Sequence, residues 1–302
     1  MHNQTEGQSR TEGQTARVYC SEQSVLEPVW GTADCVDVWL LLEYRPAWKA
    51  RALQDNDLAA PVRHWLDTTL EALASAGYRA RPQFIRRPEI DDDRTRLLIA
   101  GNDALVEYSG VGYGFLEDVE AVAAIRRPGG AATQSQPLYF VCTNGQRDLC
   151  CARFGLPLYA ALRARVADRV WQINHLGGHR FAPNVLTLPN ACLYGRVTPE
   201  KLDDFLSHTE PGAVDFQRLR GRTRYPPLVQ AAEASVARNG LRLLQVEGDE
   251  REAVVTFADD VELVKVGVKR SDEALPVLMS CGDEGAGSVY PYVTSRIQSI
   301  SS

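Results

Sequence analysis

The pattern of apolar and polar positions predicts short strands and helices along most of the chain. Val36–Tyr44 is mostly apolar and predicts a buried strand. Pro61–Ala76 has apolar residues at spacings of three and four and is followed by Gly77, which predicts a helix ending at a glycine C-cap. The same reasoning predicts three short strands and then a helix: Arg79–Ile85, Arg96–Ala100, Leu105–Tyr108 and Leu116–Ile125.

A similar order of elements follows the stretch R-P-G-G-A-A-T-Q-S-Q-P at 127–137, whose glycines and prolines predict a linker. The predicted elements are a strand at Leu138–Cys142, a helix at Phe154–Val166, strands at Val170–Asn174, Asn184–Leu188 and Cys192–Val197, and a helix at Pro199–Ser207. Both halves therefore have the order β-α-β-β-β-α. This repeat predicts a tandem α/β architecture with mixed sheets.

The two ends of the chain differ from this repeat. Residues 1–16 are polar throughout and predict a disordered tail. After residue 210 the pattern predicts one helix and three antiparallel strands, followed by a loop at 280–292: the helix is Leu228–Arg238 and the strands are Leu241–Val246, Ala253–Phe257 and Val261–Val268. We therefore expect two α/β domains, at 17–130 and 131–210, and a small α+β extension at 211–302.

Composition excludes several classes of partner. The chain has 302 residues, 44% of them apolar and 24% charged, as in ordinary globular proteins. A net charge of −6 argues against nucleic acid, because phosphate binding needs a concentrated basic surface. No apolar run approaches the roughly 18 residues of a membrane span. Seven cysteines without a secretion signal predict a cytoplasmic protein with free or metal-bound thiols.

Two pairs of potential metal ligands lie close together in the second half of the chain. Cys142 and Cys151 are separated by eight residues, and His175 and His179 by three, two of which are glycines. Thiolates and imidazoles together bind zinc or an iron–sulfur cluster of mixed ligation. Each pair alone is more typical of buried thiols or of ordinary histidines. The two pairs flank one predicted strand–helix unit, and this arrangement favours a metal site more than either pair does alone. On spacing, a metal site and a site without metal are then about equally supported.

The cysteine pair lies where α/β proteins usually form sites. Cys142 ends a predicted strand, and the cysteines at 150 and 151 come just before a predicted helix, whose positive end favours thiolates. The adjacent Cys150 and Cys151 cannot both face one site without distortion, so one is expected to be a ligand and the other packed. Spacing does not choose between them. The other cysteines are expected to be structural, packed or free: Cys20, Cys35, Cys192 and Cys281.

The histidine pair is expected on a loop. The glycines in H-L-G-G-H make a helix improbable, and the glutamate of the zinc-protease pattern H-E-x-x-H is missing. Arg180 follows the second histidine and either docks an acidic redox partner or is solvated. The run R-G-R-T-R at 220–224 is a weak indication of a phosphate-binding patch.

C-T-N-G-Q-R-D-L-C-C-A-R-F-G and H-L-G-G-H-R-F-A-P-N-V resemble the signature of the sucrase/ferredoxin-like family. E-P-V-W-G-T-A and R-Y-P-P-L-V-Q-A-A-E are similar to its bacterial members. The resemblance implies thioredoxin-like domains and one [2Fe–2S] cluster. It also implies the ligands Cys142, Cys151, His175 and His179, and so chooses Cys151 over Cys150.

The function implied is electron transfer to or from a redox partner protein, with proton exchange at the histidines. The alternative from another class is a zinc-stabilised binding module without redox activity that uses the same four ligands. A thiol oxidoreductase using Cys150 and Cys151 is disfavoured because vicinal disulfides are strained. No carboxylate pair supports glycoside hydrolysis, and no catalytic residue is predicted.

Overall fold

The computed structural model describes residues 18–126 and 136–301, with side chains to residue 295. The predicted tail at 1–16 lies outside the described residues, as does the linker at 127–137 except for its last two residues. Within the described part of the chain, no helix is both long and apolar enough to cross a membrane.

Nine strands form one mixed sheet. They are β1 (Val38–Glu43), β2 (Ala80–Arg86), β3 (Arg94–Gly101), β4 (Ala104–Val111), β5 (Leu138–Cys142), β6 (Val170–Ile173), β7 (Val185–Leu188), β8 (Cys192–Tyr194) and β9 (Leu219–Arg222). Their order across the sheet is β4-β3-β1-β2-β6-β5-β7-β8-β9. The pairs β1–β2 and β5–β6 are parallel, and the other neighbours are antiparallel.

The helices connect these strands and follow them. They are α1 (Cys20–Gln23), α2 (Ala60–Ser75), α3 (Ala121–Arg126), α4 (Leu149–Val166), α5 (Leu202–Thr209) and α6 (Pro227–Val236). The helix predicted at 116–125 is instead a 3-10 turn at Gly114–Asp118 followed by α3. Helix α4 begins earlier than predicted because the side chain of Asp148 caps it, accepting a hydrogen bond from the Cys150 amide at 2.9 Å. Cys150 and Cys151 therefore lie inside its first turn and not before it.

The predicted repeat is present in both the order of elements and the sheet. The series β1-α2-β2-β3-β4-α3 is followed by β5-α4-β6-β7-β8-α5. The strand order β4-β3-β1-β2 of the first half is mirrored by β8-β7-β5-β6 in the second, and the halves meet where Ile85 of β2 pairs with Ile173 of β6. The mixed α/β class is confirmed. The thioredoxin-like assignment and the domain boundaries remain predictions.

The last part of the chain forms a second, antiparallel sheet. Its strands are β10 (Arg242–Gly248), β11 (Glu252–Ala258), β12 (Glu262–Arg270) and β15 (Tyr292–Ser301), while β13 (Leu275–Val277) pairs with β14 (Gly287–Val289). Helix α6 packs on the four-stranded sheet, with Val229 and Ala232 in one buried cluster with Val255 and Val266. The loop prediction at 280–292 was wrong in part, because β14 and the start of β15 fall there. Strand β9, beyond residue 210, adds to the large sheet.

The middle of the large sheet is buried on both faces. Strands β1 and β5 have every residue buried. One face carries a core that includes Trp39, Phe140 and Cys142. The carboxyl end of β5 therefore brings Cys142 to the edge of a rigid, apolar core, where backbone positions are well determined.

Candidate metal centre

The structure brings the four predicted ligands together at the carboxyl ends of β5 and β6. The sulfur atoms of Cys142 and Cys151 are 3.6 Å apart. The Cys151 sulfur lies 3.5 Å from Nδ1 of His179. The ring centroids of His175 and His179 are 5.2 Å apart. Two sulfur donors and two imidazoles from separate segments thus converge on one small region.

Close packing between α4 and β5 positions the cysteines. Cys142 is the last residue of β5, and the chain returns to it through a short loop and the capped first turn of α4. Gly155 permits the close approach of the helix, since a Cβ atom there would lie 2.2 Å from the carbonyl oxygen of Cys142. The residue at 155 therefore has to be glycine for Cys151 to reach Cys142 in this geometry.

The histidine pair lies on a sharply bent loop, as predicted. Gly177 and Gly178 have φ values of 76° and 63°, a conformation that favours glycine. A Cβ atom at Gly178 would also lie 2.5 Å from the guanidinium of Arg220. A 3-10 turn at His179–Phe181 follows. Both the backbone conformation and the packing therefore need glycine at position 178.

Arg220 and Asn184 hold this loop, and sequence reasoning missed both roles. The buried guanidinium of Arg220 donates to the carbonyl oxygen of Gly177 at 2.9 Å, to Oδ1 of Asn184 at 3.0 Å and to the carbonyl oxygen of Thr32 at 2.6 Å. The amide of Asn184 donates to the carbonyl oxygen of Gly178 at 3.0 Å. Burial lowers the pKa of Arg220 to about 9. Arg220 is the first residue of the R-G-R-T-R run. It is buried and holds the histidine loop in place, so it is not part of an exposed phosphate-binding patch.

The close contact between Cys142 and Cys151 shifts the pKa values of the two thiols in opposite directions. The hydrogen bond between the two sulfur atoms holds the pKa of Cys142 well below its usual value, and the nearby imidazole of His175 adds to this effect. The same hydrogen bond, together with burial, raises the pKa of Cys151. Burial also lowers the pKa of His179. These shifts favour the thiolate of Cys142 and the neutral imidazole of His179, which are the forms that bind metal.

The site is buried on its cysteine side and open on its histidine side. The exposed fractions of Cys142 and Cys151 are 2% and 1%. Both histidines are half-buried. Nδ1 of His175 is buried and has no hydrogen-bond partner among the described residues. An unpartnered buried nitrogen is costly unless a further group binds it.

The donor set fits a metal. Two sulfur atoms bound to one tetrahedral ion at about 2.3 Å each lie about 3.8 Å apart, close to the 3.6 Å between Cys142 and Cys151. The unpartnered Nδ1 of His175 and the Nδ1 of His179 supply the remaining donors. Two cysteines and two histidines are the residue types that zinc or an iron–sulfur cluster of mixed ligation uses.

The neighbouring Cys150 points into a different cluster. Its sulfur lies 3.5 Å from that of Cys20 and 3.1 Å from that of Cys281. Sequence reasoning expected Cys20 to be structural and Cys281 to be packed or free, and no spacing signal connects residues this far apart along the chain. Cys192 is buried in β8, and the Cys35 thiol donates to the carbonyl oxygen of Tyr225.

The prediction that Arg180 either docks an acidic redox partner or is solvated was wrong. Arg180 forms a two-point ion pair with Glu27, at 2.6 and 2.8 Å. The side chain of Glu27 is only 3% exposed, so the pair is largely buried. Arg180 therefore anchors the segment before β1 to the histidine loop and is neither solvated nor available to dock an acidic partner.

Two comparisons with known proteins gave a match in sequence. No solved structure matches the chain significantly. A 92-residue region is 33% identical to "Altered inheritance of mitochondria protein 32" from Debaryomyces hansenii, covering 27% of this chain and 34% of that protein. That relative is a yeast protein and gives no support to the expected bacterial origin. Residues 29–221, more than half of the chain, match the sucrase/ferredoxin-like family. The chain therefore belongs to the sucrase/ferredoxin-like family.

Proposed function

We propose that this protein transfers electrons through one [2Fe–2S] cluster held by Cys142, Cys151, His175 and His179. The observation that carries the proposal is the convergence of two buried sulfur atoms with two half-buried imidazoles in a member of a ferredoxin-like family. The tandem thioredoxin-like reading of the two halves belongs to the same proposal.

The cysteines supply the negative charge of the site. Both lie beside the first turn of α4, where the free amides of a helix start stabilise anions. The Asp148 carboxylate caps that turn and holds the Cys150 amide, so the backbone around Cys151 is rigid. Burial keeps water from the sulfur atoms, which protects the thiolates from exchange and oxidation.

The histidines control charge and proton exchange. When bound, a [2Fe–2S] cluster accepts and releases one electron, and neutral imidazoles in place of two thiolates raise its potential. The proposal takes Nδ1 of each histidine as the ligand atom, so each Nε2 would be left to carry a proton. Since the histidine side is the more exposed side, both the proton and the partner protein reach the centre from there.

The second candidate is a zinc site in a cytoplasmic protein module without redox activity. Its specific support is the separation of 3.5 Å between the Cys151 sulfur and the His179 nitrogen. A sulfur and a nitrogen bound to one tetrahedral zinc lie about 3.6 Å apart. This one sulfur–nitrogen separation therefore suits a single ion.

Metal analysis of anaerobically purified protein separates the two candidates. The [2Fe–2S] proposal predicts about two iron atoms and two labile sulfides per chain, visible absorption, and an EPR signal on one-electron reduction. Mössbauer spectra that place a nitrogen-ligated iron beside a sulfur-ligated iron would support the ligand assignment. Colourless protein with zinc bound to two sulfur and two nitrogen ligands would overturn it in favour of the zinc module.

A further inference from the structure

Three cysteine sulfur atoms form a compact triangle next to the candidate metal centre. The sulfur–sulfur distances are 3.5 Å for Cys20–Cys150, 3.1 Å for Cys150–Cys281 and 3.6 Å for Cys281–Cys20. Cys20 and Cys150 are fully buried, and Cys281 is half-buried. Each of the three sulfur atoms therefore touches the other two, in a region with little access for water.

A carboxylate completes this group. The Asp148 side chain is 5% exposed, and one of its oxygens lies 3.8 Å from the Cys20 sulfur. The carboxylate is held by the amides of Cys150 and Cys281, each at 2.9 Å. All four potential ligand atoms lie within 4.8 Å of one another. Three sulfur atoms and one oxygen atom therefore lie close enough together to surround one metal ion.

Outer contacts orient the sulfur atoms as they do in metal sites. The Ser21 hydroxyl donates to the Cys150 sulfur at 3.3 Å, and the Cys20 amide donates to the Cys281 sulfur at 3.5 Å. The Ser280 hydroxyl donates to the Asp148 carboxylate at 2.8 Å. Hydrogen bonds to the ligands stabilise thiolates and fix their direction.

We propose that Cys20, Cys150, Cys281 and Asp148 bind one structural zinc ion, at a second site separate from the histidine centre. Binding releases the thiol protons to solvent and leaves three thiolates and one carboxylate around the ion. The proposal does not depend on which metal the histidine centre holds.

The distances favour a single ion over the other uses of three thiols. Sulfur atoms on one tetrahedral zinc lie about 3.8 Å apart, slightly more than the three observed separations. Thiolates that bind different irons of a larger cluster lie much farther apart. A disulfide would use two of the three sulfur atoms and leave the third as a buried thiol beside a carboxylate, without explaining why all three meet.

A zinc ion at this second site would connect segments that are far apart in the sequence. Cys20 lies in α1, Cys150 in α4 and Cys281 between β13 and β14, so one ion would join the start of the described chain, the central helix and the C-terminal extension. Cys20 and Cys281 both lie outside the region 29–221 that matches the family. The second site is therefore built partly from segments outside the matched region.

The test is zinc and iron analysis of the full chain expressed with added zinc sulfate, together with zinc X-ray absorption. We expect about one zinc per chain in addition to any zinc at the histidine centre, with a shell of three sulfur atoms and one oxygen atom. The double variant Cys20→Ser with Cys281→Ser should lose at least nine-tenths of this zinc. His179→Ala and the matched control Cys35→Ser should keep it, because neither residue belongs to the site.

Three results would overturn the proposal. One is wild-type protein without zinc in which Cys20, Cys150 and Cys281 all react with a thiol reagent under native conditions. Another is a Cys150–Cys281 disulfide found by mass spectrometry of untreated protein. The third is zinc that is lost completely in His179→Ala, since all of it then belongs to the histidine centre. X-ray absorption on the wild type decides the matter even if the double variant does not fold, and iron content reports on the histidine centre independently.

Discussion

Cys150 and Cys151 are neighbours in the first turn of α4, yet their sulfur atoms lie in different clusters. The Cys151 sulfur is 3.6 Å from that of Cys142, and the Cys150 sulfur is 3.1 Å from that of Cys281. Successive residues of a helix point about 100° apart, so one helical turn serves two sites. Cys151 therefore belongs to the candidate metal centre, and Cys150 belongs to the cluster with Cys20 and Cys281.

Replacing Cys150 or Cys151 by serine should therefore change the iron content of the protein differently. Cys151→Ser removes a ligand of the proposed [2Fe–2S] cluster, and we expect iron to fall from about two atoms per chain to near zero with loss of visible absorption. Cys150→Ser should keep both iron and the visible spectrum. The measurement is iron and labile-sulfide content alongside the optical spectrum of anaerobically purified protein.

Cys35→Ser is the matched control, because Cys35 belongs to neither cluster and its thiol donates to the carbonyl oxygen of Tyr225. Circular dichroism of every variant should match the wild type, which separates ligand loss from unfolding. Iron lost from Cys150→Ser and retained in Cys151→Ser would show that the two residues have the opposite roles.

The reduction potential should depend on pH if a ligand histidine exchanges a proton. Burial already lowers the pKa of His179 below its ordinary 6.5, so the imidazole is neutral at pH 7 before any electron arrives. Reduction adds negative charge, which raises the pKa of a bound imidazole and favours proton uptake. The potential should therefore fall as pH rises, by up to about 59 mV per pH unit between the pKa of the oxidised form and that of the reduced form.

Protein-film voltammetry from pH 5 to pH 10 measures this slope. Below the lower pKa both redox states are protonated, and above the higher pKa neither is, so the potential should level off at both ends. His175→Cys should lower the potential and reduce the slope, because a thiolate replaces one exchanging imidazole. A potential that is constant over the whole range would rule out proton exchange at the ligands.

Arg220 should be essential for the shape of the histidine loop. Its planar guanidinium reaches acceptors on Thr32, Gly177 and Asn184 together, which the single ammonium of lysine cannot do. Arg220→Lys leaves buried acceptors unpaired, so we expect the free energy of unfolding to fall by about 2–4 kcal/mol. The cluster should also be lost faster on exposure to a chelator.

Denaturant unfolding and chelator kinetics measure these two effects. Arg242→Lys is the matched control, since the side chain of Arg242 is 72% exposed and changes there usually alter stability by less than about 0.5 kcal/mol. Equal stability of the two variants would show that the hydrogen bonds of Arg220 do not hold the loop.

Local patterns were sufficient to predict the repeat and the histidine loop. Val38–Glu43 is a nearly continuous apolar run and Ala60–Ser75 has helical spacing of apolar residues, and both lie close to their predicted positions. The bend at Gly177 and Gly178 was predictable because glycine is required by local backbone geometry. These features depend on residues near one another in the sequence.

The contacts that complete the site depend on tertiary structure and leave no local pattern. Arg220 lies in β9 and reaches the loop across the sheet, so nothing in R-G-R-T-R distinguishes a buried clamp from a basic surface turn. Cys20 and Cys281 meet only because the C-terminal extension folds back onto α1. The early start of α4 depends on the cap at Asp148, which precedes the predicted start of the helix at Phe154.

Gly155 should be the position in α4 that tolerates a methyl group least. Replacing glycine by alanine inside a helix usually stabilises it by up to about 1 kcal/mol. At position 155, however, the new Cβ atom would lie 2.2 Å from the carbonyl oxygen of Cys142, so the helix has to move away from β5. We therefore expect Gly155→Ala to destabilise the fold by about 1–3 kcal/mol and to lower iron occupancy, because the displacement separates Cys151 from Cys142. Gly114→Ala is the matched control, since a Cβ atom there has nothing within 4 Å. Chemical denaturation and iron analysis of the two variants check the prediction, which fails if Gly155→Ala is as stable and as fully loaded with iron as Gly114→Ala.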